Sequence, residues 1–278
     1  MPEIRVAHSP DSDDAFMFYA LAAGKIDTGD RVYVHELADI ESLNARALKG
    51  ELEVTAVSIH AYAYLHERYA LLPHGASLGD GYGPRIVAPD PVSDPYSALN
   101  DRVVAIPGER TSATLALKLF RPDVRTVVVP FDEIEDHVLE RRSDAGLLIH
   151  EGQLTYADRG LHLWLDLGAW WKQRTGLPLP LGGNVVRKDL GPDLIRAISH
   201  DLRESIVYAL RHRAPALAHA QRYARGMNES RTDTFVAMYV NDYTVDYGPT
   251  GREAVQRFLD EGAACGHIPE VKAEFVDD

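Results

Sequence analysis

The sequence predicts a bilobal α/β protein, two open sheets with a ligand cleft between the lobes. Three observations carry that expectation. A strand–helix alternation opens the chain, breaks at the proline-rich stretch "APDPVSDPYSALNDR", and restarts after it. A late strand-like segment, "GGNVVRKD", then returns the chain to the first unit. A mostly helical tail follows from Pro192 onward. Alternation of this kind packs helices against open sheets.

The elements follow in order. "IRVAHS" reads as a short strand. "DDAFMFYALAAGKI" reads as a helix, because Phe16, Tyr19, Ala20 and Ala23 recur at helical spacing and Gly24 stops it. "RVYVHEL" alternates with the period of a strand. "DIESLNARALKGEL" is amphipathic, opened by Asp39 and closed by Gly50. "VTAVSIHAYAYL" begins as a strand and turns helical near His60, and "YALLPHGASLGDGYGPRIVAPD" holds strands split by a glycine-rich turn. Beyond the prolines, read as an interdomain hinge, come strand "RVVAIPG", helix "TSATLALKLF", strand "RTVVVPF", helix "FDEIEDHVLERRS" and strand "DAGLLIHEG". The expected lobes are 1–96 plus 186–278, large and carrying the tail helices, and 97–185, small. This is the layout of a Venus-flytrap binding fold, whose ligand faces the carboxyl ends of strands.

The 278 residues are 45% hydrophobic, enough for a large core, and carry a net charge of -13. That charge, without any Lys/Arg stripe, argues against nucleic acid as a partner. It leaves room for an anionic small molecule, which one arginine or one helix end can hold. Cys265 is the single cysteine, which excludes a disulfide framework and cysteine-based zinc sites. "MPEIRVAHSPDSDD" lacks the parts of a signal peptide. No apolar run approaches the roughly 18 residues that span a bilayer. The expectation is a soluble cytoplasmic protein with no membrane partner.

Four post-strand loops stand out. "HSPDSDD" brings Asp11, Asp13 and Asp14 to a helix start, where carboxylates cap free N–H groups and complement the helix dipole. Capping does not explain three mutually repelling carboxylates, and the Gly and Glu of an EF-hand loop are missing. "AVSIHAYAY" places Ser58 at a strand end, to cap or to bind a ligand oxygen; the glycines of a nucleophile elbow are absent. "IPGERTSATLAL" leads through Arg110, Thr111 and Ser112 into a helix, a seat for a carboxylate or phosphate but not a Walker A loop. "DAGLLIHEGQLTY" delivers His150 and Glu151 at a strand end, where an imidazole suits a general base at neutral pH or is a structural histidine. A fifth segment, "LGAWWKQRTGLPLPLGG", offers Trp170 as a stacking platform for an aromatic ligand, or as core.

At these same segments the chain resembles a known family over nearly its whole length. "HSPDSDDAFMFYAL", "LGDGYGPRIV", "DAGLLIHEGQLTY", "DLGAWWKQRTGLPLPLG" and "YVNDYTVDYG" are similar to the 1,4-dihydroxy-6-naphthoate synthases (MqnD) of the futalosine route to menaquinone. The sister chorismate dehydratases (MqnA) share the fold. Some members carry S-P-C-P-N-D-T in the first loop; here Asp11, Ser12, Asp13, Asp14 and Ala15 follow Ser9-Pro10, so Asp14 alone of these keeps its type. The resemblance implies a periplasmic-binding-protein-like fold of type II and a carbon–carbon lyase acting on cyclic dehypoxanthine futalosine. It implies His150 as the base, Thr111 and Ser112 holding the substrate carboxylate, beside which the loop reading adds the charge of Arg110, and Ser58 binding a hydroxyl. The cleft layout sets Asp11 or Asp14 against a hydroxyl-rich part of such a substrate, and Trp170, of the pair Trp170-Trp171, is the candidate ring contact, without the sequence deciding between the two tryptophans. The resemblance implies no metal and no organic cofactor. A homodimer stays open, as do the dehydratase activity and a solute-binding protein without catalysis.

Overall fold

The computed structural model describes residues 3–277. Its strands are β1 (Glu3–His8), β2 (Val32–Leu37), β3 (Val54–Ser58), β4 (Tyr69–Leu71), β5 (Ser77–Gly79), β6 (Arg85–Ala88), β7 (Val103–Ile106), β8 (Arg125–Val128), β9 (Ala145–Leu148), β10 (His162–Asp166) and β11 (Leu179–Arg187). They form two sheets. The first runs β2-β1-β3-β11-β4, with β5 also paired to β11; the second runs β10-β6-β9-β7-β8.

One plan is used twice. In the first sheet β1 lies parallel between β2 and β3, and β11 runs antiparallel beside β3. In the second, β7 lies parallel between β8 and β9, and β6 runs antiparallel beside β9. The two antiparallel strands are the crossovers: β6 enters the second sheet and β11 returns to the first. Loops that follow the parallel strands therefore leave each sheet at its carboxyl edge, the side on which such sheets bind ligands.

The crossovers fall earlier than the expected lobe boundaries at 96 and 186. β6 already pairs in the second sheet, so the chain changes lobes between Gly79 and Arg85, ahead of the prolines. The proline-rich stretch is not the hinge; it lies within the second lobe and forms the short helix Pro95–Ala98, capped by Asp94. The return begins at Leu179. Prolines mark a break in periodicity, but strand pairing decides which sheet a segment joins, and pairing is not local information.

The first predicted helix is interrupted at Phe18, giving Ser12–Met17 and Tyr19–Ala22. Ser205, from the helix Pro192–Arg211, inserts its hydroxyl into the ladder. It donates to the Met17 carbonyl at 2.8 Å and accepts from the Leu21 N–H at 3.3 Å, in place of the direct bond. The helix Ile40–Lys49 matches its pattern: Asp39 accepts from the Ser42 N–H, and Gly50 closes the end at φ 73°.

The helical tail is anchored to the first sheet by a buried ion pair. Asp201, 1% exposed, accepts from Arg31 at 2.7 and 3.0 Å and from the Tyr33 hydroxyl at 2.6 Å. Ile198, Leu202 and Ile206 of the same helix pack with Ile4, Val6 and Val54 of the first sheet. A second cluster joins the lobes: Val255, Phe258 and Leu259 of the helix Gly248–Ala264 meet Leu115 and Trp171 from the second lobe's helices. Among the described residues no helix is long and apolar enough to cross a membrane.

Candidate active site

The carboxyl ends of β1, β3, β7 and β9 open on one cavity of about 110 Å³, whose lining includes Asp11, Asp13, Asp14, Ser58, Thr111, Ser112 and His150. Each lobe thus contributes the loops after its central and inner parallel strands.

His150 follows β9, and its Nδ1 lies 2.7 Å from Oδ2 of Asp11, which follows β1 in the other lobe. A carboxylate only accepts, so the contact places the proton on Nδ1 and leaves the lone pair on Nε2. That Nε2 is buried and has no hydrogen-bond partner within the protein. The ring is held from one side by Phe131, edge to face at 4.3 Å. Burial disfavours the imidazolium, but the charge and hydrogen bond of Asp11, helped by Glu151, outweigh it and raise the His150 pKa above its ordinary 6.5. Asp11 is 3% exposed. Burial pushes its carboxyl up, yet His150 and Arg225, with the Ser9 hydroxyl, together hold it below the usual carboxylate range.

The other two aspartates behave differently. Asp14 accepts from the Ser9 N–H at 2.8 Å, and burial, with the Asp11 charge, pushes its carboxyl up to about 6. Asp13 lines the cavity, and burial with the charges of Asp14, Asp11 and Glu151 pushes it well above the carboxylate range. The loop therefore holds one ionised carboxylate and two carboxyls that retain protons more readily, the division that separates acid from base roles in one site. Capping is not its purpose: Asp11 stands at the N-cap position of Ser12–Met17 but makes no side-chain cap bond.

On the same wall, at the end of β3, Ser58 accepts from Asn44 Nδ2 at 3.2 Å, and its own N–H donates to Asn44 Oδ1 at 2.9 Å. The Ser58 hydroxyl proton is thereby left to donate to a ligand. Thr111 and Ser112 line the cavity, but their hydroxyls are engaged elsewhere. Thr111 Oγ1 donates to the Gly108 carbonyl and accepts from the Thr114 N–H, capping its helix Ser112–Phe120. Ser112 Oγ donates to the Leu181 carbonyl and accepts from the His60 N–H. What this end offers an anion is the first-turn N–H groups and the helix dipole.

Two expected ligand contacts lie outside the cavity. Arg110 is exposed, its guanidinium 5.6 Å above the Tyr64 ring. It precedes the cap residue, and turning Thr111 inward turns Arg110 out. Trp170 packs on Phe120 at 5.4 Å and beneath the Arg174 guanidinium. Trp171 takes the buried face of that helix at 0% exposure, and the adjacent position points to its outer side. No local pattern separates the two tryptophans.

Asp11, His150 and Glu151 also form the one group among the described residues whose ligand atoms, all within 4.8 Å, are close enough to hold a cation. Arg225 already faces both carboxylates, at 2.7 Å from Asp11 and 3.3 Å from Glu151, and its charge opposes a divalent ion there.

A menaquinone biosynthesis family profile matches residues 4–264. This chain belongs to the menaquinone biosynthesis family. It is 40% identical to a 1,4-dihydroxy-6-naphthoate synthase of Thermus thermophilus, over 96% of each chain. It is 35% identical to one of Streptomyces coelicolor, over 96% of this chain and 95% of that one. A crystal structure of an Archaeoglobus fulgidus protein superposes with a TM-score of 0.91 at 46% identity, covering 96% of this chain and 98% of the other. A Candida albicans protein with the generic periplasmic binding protein fold superposes with a TM-score of 0.74 at 12% identity, covering 100% and 98%. The fold is therefore periplasmic-binding-protein-like.

In this family member two cavity groups, Asn184 and Tyr239, and the neighbouring Arg225 had no signal in the sequence. Asn184, on β11 and 1% exposed, donates to the Gly75 carbonyl at 3.2 Å, while its buried Oδ1 has no partner in the protein. Gly75 is required beside it, since at φ 83° a Cβ would stand 2.0 Å from Asn184 Nδ2. Tyr239 reaches across the lobes, donating to Gln153 Oε1 at 2.7 Å. Arg225, in the tail, pairs with Asp11. All three depend on segments distant in sequence.

Proposed function

We propose that this chain is a carbon–carbon lyase converting cyclic dehypoxanthine futalosine to 1,4-dihydroxy-6-naphthoate, with His150 as the general base. The observation that carries the reading is the bare Nε2 of His150, buried in the cavity and set in its tautomer by Asp11, in a chain 40% identical to a 1,4-dihydroxy-6-naphthoate synthase.

In this reading Nε2 takes a proton from the bound substrate, and carbon–carbon cleavage proceeds as the ring aromatises. A base whose pKa lies near the working pH transfers protons most effectively, and the rise of His150 above 6.5 serves that end. The substrate carboxylate sits at the N-terminus of Ser112–Phe120, away from the four carboxyls of Asp11, Asp13, Asp14 and Glu151. Ser58 donates to a substrate oxygen. Asn184 Oδ1 and the Asp14 carboxyl accept from the hydroxyl-rich portion. The enzyme works in the cytoplasm on an anionic small molecule.

The test is a product assay by mass spectrometry. Purified protein with cyclic dehypoxanthine futalosine is expected to release 1,4-dihydroxy-6-naphthoate, and with chorismate no enolpyruvyl benzoate. His150→Gln is expected to lose turnover by roughly 10²–10⁴-fold, the usual contribution of a general base. Near-wild-type turnover by that variant removes the base assignment.

A further inference from the structure

We propose that Arg225 is the positioning residue that makes the Asp11–His150 pair dependent on closure of the two lobes. The proposal rests on the reading of His150 as the base.

Arg225 lies between the turn Gln221–Tyr223 and the helix Glu229–Tyr239 of the tail. Among the described residues it is one of three non-glycine residues in the left-handed region, at φ 45°, a conformation retained only where surrounding contacts hold it. Its contacts are specific. Nη2 lies 2.7 Å from Asp11 Oδ1, and Nη1 lies 3.3 Å from Glu151 Oε2. The guanidinium stacks over Phe131 at 4.4 Å, and Phe131 meets the His150 ring at 4.3 Å. Phe131 is thus gripped between Arg225 and the base.

These contacts form a ring across the cleft. Asp11 and Arg225 belong to the first lobe; Phe131, His150 and Glu151 belong to the second. Asp11 to His150, Arg225 to Glu151 and Arg225 to Phe131 all cross it. Opening the lobes breaks all three together, and His150 then loses the carboxylate that sets its tautomer.

Electrostatics give Arg225 its necessity. The charged and titratable groups facing His150 are Asp11 and Asp14 of the first loop, Glu151 beside it, and Arg225. Closure brings Glu151 to Asp11 while Asp13 and Asp14 stand nearby. Like charges this close drive one another to take up protons. Burial and these charges put the protons on Asp13, Asp14 and Glu151, while Asp11 stays ionised. The Arg225 guanidinium, set between Asp11 and Glu151, offsets their repulsion and holds the Asp11 carboxylate against the imidazole Nδ1–H in the closed state.

The same geometry sets the direction of its influence on the base. Arg225 lowers the pKa of His150 by like-charge repulsion, whereas Asp11 raises it. Removing one or the other shifts the acid limb of kcat/KM in opposite senses.

The experiment measures steady-state kinetics on cyclic dehypoxanthine futalosine from pH 5 to 9 for wild type, Arg225→Met, Arg225→Lys, Glu151→Gln and His150→Gln. Arg225→Met is expected to lose roughly 10²-fold in kcat, the scale of a misplaced catalytic group, with KM changed by less than about threefold. Its acid limb moves to higher pH, and Arg225→Lys recovers at least about tenfold, because it keeps the charge without the fork. Glu151→Gln lowers kcat more mildly and reports on the same ring if Arg225→Met does not fold. Arg225→Met with wild-type kcat and an unmoved acid limb overturns the proposal, as does a loss confined to thermal stability. Turnover retained by His150→Gln instead overturns the base reading, whatever Arg225 does.

Discussion

Asp11 and His150 meet at 2.7 Å across the cleft, one from each lobe. The pair resembles the carboxylate–imidazole arrangement that orients a base in unrelated hydrolases, here divided between two sheets. Its assembly is a property of the closed molecule and not of either lobe. It turns the acidic first loop into a support for the His150 imidazole on the other wall.

Asp11→Asn is expected to lower kcat by roughly 10²–10⁴-fold with little change in KM. Asparagine keeps the shape but removes the charge that raises His150, so the acid limb of kcat/KM moves to lower pH. pH-resolved steady-state kinetics check both, and a larger effect on KM than on kcat would return Asp11 to a substrate contact.

Asn184→Leu removes an acceptor whose only unfilled valence faces the cavity. One lost hydrogen bond to a neutral group is worth about 1 kcal/mol, so KM should rise by about five- to tenfold. The bond to the Gly75 carbonyl is lost as well, so the melting temperature is measured on the same preparation. An unchanged KM in a folded variant rejects the contact.

His8 and His35 predict how stability depends on pH. His8 Nδ1 faces the Ser9 carbonyl at 2.9 Å and so carries the proton; its Nε2 then accepts from His35 Nδ1 at 3.2 Å. Burial pushes both imidazoles down to about 4 from 6.5. Between those values the unfolded chain binds protons that the native chain does not, so this pair's contribution to stability falls as pH drops through that window. Across the whole window the loss is of order 3 kcal/mol for each histidine. Asp14, raised to about 6, acts in the opposite sense over part of the range. Urea midpoints at pH 7 and pH 5 should therefore differ less for His8→Leu/His35→Leu than for wild type; equal differences would remove the histidines as the cause.

Arg31→Met leaves Asp201 buried with only the Tyr33 hydroxyl opposite it. Breaking a buried pair from one side typically costs about 3–5 kcal/mol; the partial exposure of Arg31 places this case at the low end, about 3 kcal/mol. Chemical denaturation checks the value. A loss below about 1 kcal/mol would make the anchor a surface ion pair.

Much of the fold was legible along the chain. The period of two in "RVYVHEL" and the Asp39 and Gly50 caps around an amphipathic run each lie inside a dozen or so neighbours, and β2 and Ile40–Lys49 match them. So do the strand ends that bring Ser58, Thr111 and His150 to one cavity. The break at Phe18 was not legible, because Ser205 makes it from the tail. Nor was the early crossover at β6, because sheet membership follows from pairing with β9 and β10.

What the sequence by itself determined is the alternation of elements, the return strand, and which loops follow which strands, since these arise from periodicity and capping within short windows. Only the tertiary structure decided the work of individual side chains. It turned Arg110 and Trp170 away from the cavity, engaged the Thr111 and Ser112 hydroxyls in capping and packing, set Asp11 against His150 and Arg225 against Asp11, and placed Asn184 in the cavity wall. The physical reason is that a side chain's charge state, tautomer and free valence depend on its partners, and here those partners come from the other lobe or from the tail.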